Sequence, residues 1–252
     1  MSKLKIIPLG GLGEVGKNMT AFEYGNDIIV VDCGMGFPDE SMYGIDIVLP
    51  DITYLKNNAH RVRGIVLTHG HEDHIGAVPF VLRELDVPIY TMPLTAALVE
   101  LKLEEHDLLY NTQIFIKELG SPFRLGCFGI EFIHVNHSIP DAVALAIKTP
   151  IGTVIHTGDF KIDVTPISGG MMDLVRLGQL GNEGVLALLS ESTNVEKPGH
   201  SESERKVGDG FDKLFKGCDK RIIITTIEKF PYVVPDIGVA HKQNRFAVII
   251  DE

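Results

Sequence analysis

Through the first half of the chain, apolar positions come in short runs punctuated by glycine, asparagine and aspartate. This is the pattern of strands separated by turns. Leu4–Leu9 reads as a strand. Thr20–Tyr24 and Ile28–Val31 flank Gly25-Asn26-Asp27, so they read as a hairpin. Val62–Leu67 is an apolar, β-branched run of the kind that forms a buried strand. Helical spacing follows over Ile75–Leu85 and Thr95–Leu109. Further strands fit Ile114–Lys117, Ile130–Val135, Val143–Lys148 and Thr153–His156, and Met171–Leu180 fits a helix.

From about Gly184 the alternation changes to strand, helix, strand. Val185–Leu189 reads as a strand and Ser201–Phe215 as a helix, with Ser201 as N-cap and Glu204 three residues on. Arg221–Thr225 and Phe246–Ile250 complete a parallel α/β pattern. The crossover Glu228–Asn244 contains Pro231 and Pro235, which argue against a regular helix there. The expected organisation is one domain over 1–184 and the beginning of a second over 185–252.

Composition leaves this picture of an ordinary globular α/β chain in place: 44% of the 252 residues are hydrophobic and 23% charged. No apolar run approaches the ~20 residues of a membrane span. The N-terminal apolar stretch is broken by Pro8, glycines and Glu14 too early for a signal peptide, so a cytoplasmic address is expected. Cys33, Cys127 and Cys218 are odd in number and widely spaced, which argues against both a disulfide framework and a thiolate zinc site. The net charge of −11 argues against broad electrostatic attraction to nucleic acid. Bound divalent cations would alter that balance locally.

Two motifs compete for the chemistry. Gly11-Leu12-Gly13-Glu14-Val15-Gly16 matches the dinucleotide fingerprint, with Asp32 at the expected distance for a ribose-binding acid. That fingerprint needs a helix between its two strands, and the spacing here holds a hairpin instead. A tight glycine turn beside an active site is the better reading. The run Thr68-His69-Gly70-His71-Glu72-Asp73-His74 is stronger. It follows a buried strand and precedes a helix. In an extended loop His69 and His71 point the same way and can share one ion, while Asp73 and His74 reach a second position. His137 and Asp159 each follow a strand and are candidate ligands; alone, each would read as a capping or turn residue.

His-x-His-x-Asp-His followed by His137 and Asp159 resembles the ordered signature of the metallo-β-lactamase superfamily. Leu9–Asn18, Gly44–Asp51, Thr68–Ala77, His137–Asp141 and His156–Lys161 resemble the ribonuclease J family in particular. Ser190-Glu191-Ser192-Thr193-Asn194 resembles the first motif of the β-CASP module, which marks nucleic-acid-processing members. The resemblance implies an α/β fold. Its form would be a metallo-β-lactamase αββα sandwich, incomplete at its C-terminal end, followed by the start of an α/β β-CASP module. It implies a metal-dependent ribonuclease, exonuclease or endonuclease, in RNA processing and decay, ribosomal RNA included. RNA would be the substrate, with homo-oligomers as in the family and no membrane association.

Two divalent ions, zinc first with manganese or magnesium as alternatives, would activate a shared hydroxide for attack on a phosphodiester. By resemblance His69, His71 and His137 hold the first ion, Asp73 and His74 the second, and Asp159 bridges. Asp73 is also the candidate proton carrier, and Glu191 is a candidate catalytic residue that orients a ligand. Asp32 supports the ligand loop, and Gly44 and Asp46 are candidates for a structural calcium.

Against the family's pattern, the chain is expected to end inside the β-CASP module, before a further histidine of the second ion. Ile227-Glu228-Lys229-Phe230 does not match the family's substrate-contacting stretch. The alternatives are a truncated chain that is inactive alone and a stand-alone small-molecule hydrolase of the same fold.

Overall fold

The computed structural model describes residues 2–166 and 169–206. β1 (Lys5–Gly10) pairs antiparallel with β2 (Met19–Tyr24), and β2 turns through Gly25-Asn26 into β3 (Asp27–Val31). The chain then passes through α1 (Thr53–Asn57) to β4 (Val62–Val66), which lies parallel to β3. Short α2 (Glu72–Ile75) and α3 (Val78–Leu82) lead to β5 (Ile89–Thr91), and α4 (Pro93–Glu105) leads to β6 (Ile114–Ile116). Both new strands join in parallel, giving a six-stranded sheet in the order β1-β2-β3-β4-β5-β6.

A second sheet follows from β7 (Phe123–Leu125), β8 (Phe128–His134), β9 (Val143–Thr149) and β10 (Gly152–His156), joined by antiparallel pairings. α5 (Leu174–Glu183) then returns the chain to β11 (Val185–Leu189), which pairs parallel with β10. The order is β11-β10-β9-β8-β7. Val185–Leu189, just past the division expected at residue 184, makes its hydrogen bonds to β10.

Strand alternation decides which layer each side chain enters. Ile28, Val30, Ile65 and Leu67 pack under the helices with Val78, Val99 and Leu103. Their neighbours Ile29, Val31 and Val66 turn to the other face and meet Phe128, Ile130, Phe132, Val143, Leu145 and Ile147 of the second sheet. On β9 the alternate positions Ala144 and Ala146 face outward beneath Leu180 of α5, where small side chains admit a helix. The layers are therefore helices, sheet, sheet and helix.

The helix expected over Ile75–Leu85 is broken in two. Pro79 is the cause: its ring would meet the carbonyl of Ile75 four residues back, so α2 stops and α3 restarts with proline in its first turn. Proline also sets the start of α4 at Pro93, two residues before the expected Thr95. The predicted helix from Ser201 has its first helical residue at Glu204. There Ser203 Oγ accepts from Arg205 N–H, and Asp163 Oδ2 accepts from Glu204 N–H. The remainder of that helix, and the elements expected after it, lie outside the described residues.

Glu23 on β2 is buried but matched. Its carboxylate receives Lys5 Nζ at 2.7 Å, Arg61 Nη2 at 3.0 Å and the Tyr54 hydroxyl. Burial alone would raise its pKa; these three donors outweigh that and bring it down to about 2. Cys33 and Cys127 are free thiols, and Cys218 lies outside the described residues. No helix among the described residues is long and apolar enough to cross a membrane.

Candidate metal centre

The site forms where four strands end, β3, β4, β8 and β10. β3 runs out at Asp32, whose backbone turns left-handed at φ 61° and presents its carboxylate to the end of β4. That carboxylate accepts Thr68 N–H at 2.8 Å and Thr68 Oγ1–H at 2.9 Å. It also contacts His74 Nδ1 at 2.8 Å. Since Thr68 Oγ1 donates to Asp32, its lone pairs are free to accept from His69 Nδ1–H at 3.0 Å. Each histidine is thereby held by Nδ1, and Nε2 is turned into the site.

The backbone of the ligand loop is pinned from two neighbouring segments. The carbonyls of Glu72, Asp73 and His74 accept from the N–H groups of Met35, Asn18 and Cys33 respectively. The approach is close enough to dictate a glycine: a Cβ on Gly34 would lie 1.6 Å from the Asp73 carbonyl oxygen. The glycine run from Gly11 to Gly16, exposed over Leu12–Val15 and buried at Gly16, leads into β2, not a helix, and brings the chain to Asn18 beside the site. Glu72 points away from the centre, to Lys102 Nζ on α4 at 2.5 Å.

His137 and Asp159 arrive from the second sheet. Asn136 and Lys161 form a bridge that ties the loop after β8 to the loop after β10. Asp141 Oδ2 accepts Leu94 N–H at the start of α4, fastening the His137 loop to the helical side. Gly158, left-handed at φ 56°, lies against Thr68 and Val143 and turns the chain to deliver Asp159.

Two donor groups result. His71 Nδ1 is 3.1 Å from both His69 Nε2 and His137 Nε2, and the ring planes stand nearly perpendicular. Tetrahedral zinc ligands at about 2.0–2.1 Å lie roughly 3.3 Å from one another, so this is the spacing of donors around a common ion. In the second group, His74 Nε2 lies 3.4 Å from Asp159 Oδ1 and 3.6 Å from Asp73 Oδ2. The other Asp159 oxygen is 3.8 Å from His137 Nε2, so one carboxylate faces both positions. Among the described residues, the groups dense enough to hold an ion are His69-His71-His137 and His69-His74-Asp159. Buried His69 belongs to both.

The electrostatics suit cations. Burial, then the charge of neighbouring His74, His137 and His71, drives the His69 pKa far down, so it is neutral and keeps its lone pair. Burial lowers His137 to about 4, against the opposing pull of Asp159. His74 is the exception. Burial would lower it, but the charge of Asp32 and the contacts of Asp159 push it up to about 10. The ring is held charged between Asp32 on Nδ1 and Asp159 on Nε2, and a divalent ion at Nε2 would have to displace the proton there.

The structure therefore brings together His69, His71, Asp73, His74, His137 and Asp159. It places the remaining candidates elsewhere. Glu191 follows β11, its carboxylate accepting Thr193 N–H at 2.7 Å and its N–H reaching Thr157 Oγ1. Gly44, left-handed at φ 76°, and Asp46 sit in an exposed turn and belong to neither donor group. Asn18, which closes the Leu9–Asn18 motif, had no site role in the sequence analysis. Its side-chain nitrogen lies 3.2 Å from Asp73 Oδ2 and 3.1 Å from His74 Nε2.

Known proteins resemble the chain in sequence and in fold. The family profile described as "Metallo-beta-lactamase superfamily" matches residues 12–170. Proteins named ribonuclease J are similar along nearly the whole chain. The one from Synechocystis sp. is 45% identical over 98% of this chain, which covers 39% of that protein. The one from Helicobacter pylori is 48% identical over 99% of this chain, covering 36% of the relative. The one from Thermus thermophilus is 43% identical over 96%, covering 44%. The chain thus spans less than half the length of these relatives. A solved structure of a protein of unknown function from Enterococcus faecalis V583 shares the fold. Its TM-score is 0.67 at 17% identity, over 94% of this chain and 63% of that one.

Proposed function

The chain belongs to the metallo-β-lactamase superfamily, and from its site we propose that it is a metal-dependent ribonuclease. The observation that carries this reading is the Asp159 carboxylate, one oxygen toward His74 and the other toward His137, between two donor groups. A pair of divalent ions held there would supply a nucleophile from water near neutral pH and positive charge at the phosphodiester. The chain's own net charge of −11 supplies none in bulk.

The residues divide the work. His69, His71 and His137 hold the first ion, three imidazoles suiting zinc. Asp73 and His74 serve the second, with Asp159 shared. Asp32 fixes the His74 ring through Nδ1, and Thr68 fixes the His69 ring. Asp73, part-exposed at the mouth of the site, also moves the proton. Glu191 positions the segment after β11 against Thr157, and Gly44 and Asp46 form a separate calcium site in their turn. The names and identities of the relatives support RNA as substrate. With them we place the activity, exonucleolytic from the 5′ end and endonucleolytic, in cytoplasmic processing and decay of RNA, ribosomal RNA included. A homo-oligomer is the proposed assembly, and residues from Val185 on are taken as the start of a β-CASP module.

The test is cleavage of a 5′-labelled single-stranded RNA with Mn²⁺, comparing the chain with His71→Ala. Loss of a ligand should cut the rate by at least the roughly 10–100-fold that loss of an outer-shell partner costs. Equal cleavage by both proteins rejects the metal mechanism.

A further inference from the structure

We propose that Asn18 is a ligand of the second metal position, through its side-chain carbonyl oxygen. The proposal rests on the two-ion reading above and adds a residue from the glycine-rich loop to it.

Asn18 is held by its backbone on both sides: its N–H donates to the Asp73 carbonyl at 3.0 Å, and its carbonyl accepts Gly34 N–H at 2.9 Å. Its side chain therefore projects from a fixed point next to the ligand loop. The end of the amide lies 3.2 Å from Asp73 Oδ2 and 3.1 Å from His74 Nε2. These are separations between donors sharing an ion, about 3.3 Å in a tetrahedral set, and not the roughly 2 Å between ion and ligand. The amide end therefore stands where a corner of such a shell would be. With Asp73 Oδ2 and Asp159 Oδ1, at 3.6 and 3.4 Å from His74 Nε2, it makes a set of four.

The atom facing that corner depends on what lies at the centre. Nitrogen satisfies the Asp73 carboxylate by donating to it. A half-turn about the Cβ–Cγ bond exchanges nitrogen and oxygen at almost the same positions. The carbonyl oxygen then offers its lone pairs to a cation, while the amide nitrogen has none to give. The completed set is three oxygens and one imidazole, harder than the three imidazoles of the first position. It favours Mn²⁺ or Mg²⁺ where the first favours Zn²⁺.

The experiment uses the full chain, stripped with chelator and loaded with one equivalent of Zn²⁺. Mn²⁺ is then titrated at pH 8 and the free ion followed by electron paramagnetic resonance. Wild type, Asn18→Ala and Asn18→Asp are compared, with circular dichroism as the check on folding. Asn18→Ala should weaken Mn²⁺ by about 10–100-fold and leave the zinc in place. Asn18→Asp, which keeps an oxygen at the corner but has no N–H, should bind Mn²⁺ at least as tightly as wild type. If Asn18→Ala binds Mn²⁺ like wild type, the ligand role is wrong and the two-ion reading stands. If Asn18→Asp is weakened as much as Asn18→Ala, Asn18 acts only by donating to Asp73. A wild type that takes up no second ion overturns both readings.

Discussion

Asp32 Oδ2 and His74 Nδ1 meet at 2.8 Å across 42 residues of sequence, both side chains only 2% exposed. The same carboxylate also anchors Thr68, so one side chain at the end of β3 sets the orientation of two histidines on the next strand's loop.

Asp32→Asn keeps the shape but removes the charge that fixes His74. Affinity for the second ion should fall about 10–100-fold while the first is retained. Metal content after dialysis at defined free Zn²⁺ or Mn²⁺ reads this directly. Full occupancy at both positions would contradict the role assigned to Asp32.

The close approach at Gly34 predicts a cost in stability rather than chemistry. With only 1.6 Å between a new Cβ and the Asp73 carbonyl oxygen, Gly34→Ala must push the ligand loop away. The expected loss is about 3 kcal/mol or more, read from urea unfolding. Gly178→Ala is the contrasting change. It lies inside α5 with open space around it and should stabilise the chain by up to about 1 kcal/mol.

α5 is fastened to the outer face of β8 by a two-pronged ion pair, Arg176 Nε to Glu131 Oε1 at 2.6 Å and Nη2 to Oε2 at 2.9 Å. Arg176→Ala leaves the buried Glu131 carboxylate without its partner. Arg176 is part-exposed, so the loss should be roughly 2 kcal/mol, below the 3–5 kcal/mol of a fully buried pair. Removing both charges, as in Glu131→Gln with Arg176→Met, should restore most of it.

Glu23 gives the acid response a predictable window. Its pKa falls from an ordinary 4.5 to about 2 on folding, because burial is outweighed by Lys5, Tyr54 and Arg61. The stability this provides is fully present above pH 4.5 and is lost as the pH drops toward 2. Glu23→Gln should therefore flatten the fall in thermal midpoint between those values. An unchanged acid slope would show that other carboxylates dominate.

Much of this was legible in the sequence because the signals are local. Gly25-Asn26 marks its hairpin, and Ile28–Val31 feeds alternate side chains into two different layers, which only a strand covered on both faces can do. His69 to His74 reads as ligands because four ligand side chains, His69, His71, Asp73 and His74, fall within six consecutive residues. The misses are of three kinds. β5 and β7 have three residues each, too few for a period to register. The break in the expected Ile75–Leu85 helix was written in Pro79, where hydrophobic spacing outweighed the missing N–H. Asn18 was invisible for a different reason. It stands 55 residues before Asp73 in a run that imitates a nucleotide loop, and only the pairing of β2, β3 and β4 brings it to the metal position.

The three pinned carbonyls of Glu72, Asp73 and His74 have a kinetic meaning as well. The loop cannot swing open to release an ion without parting the amides of Met35, Asn18 and Cys33 from their acceptors. If an ion leaves through opening of this loop, deuterium uptake at those three amides should rise in step with its loss to a chelator, and mass spectrometry would read both.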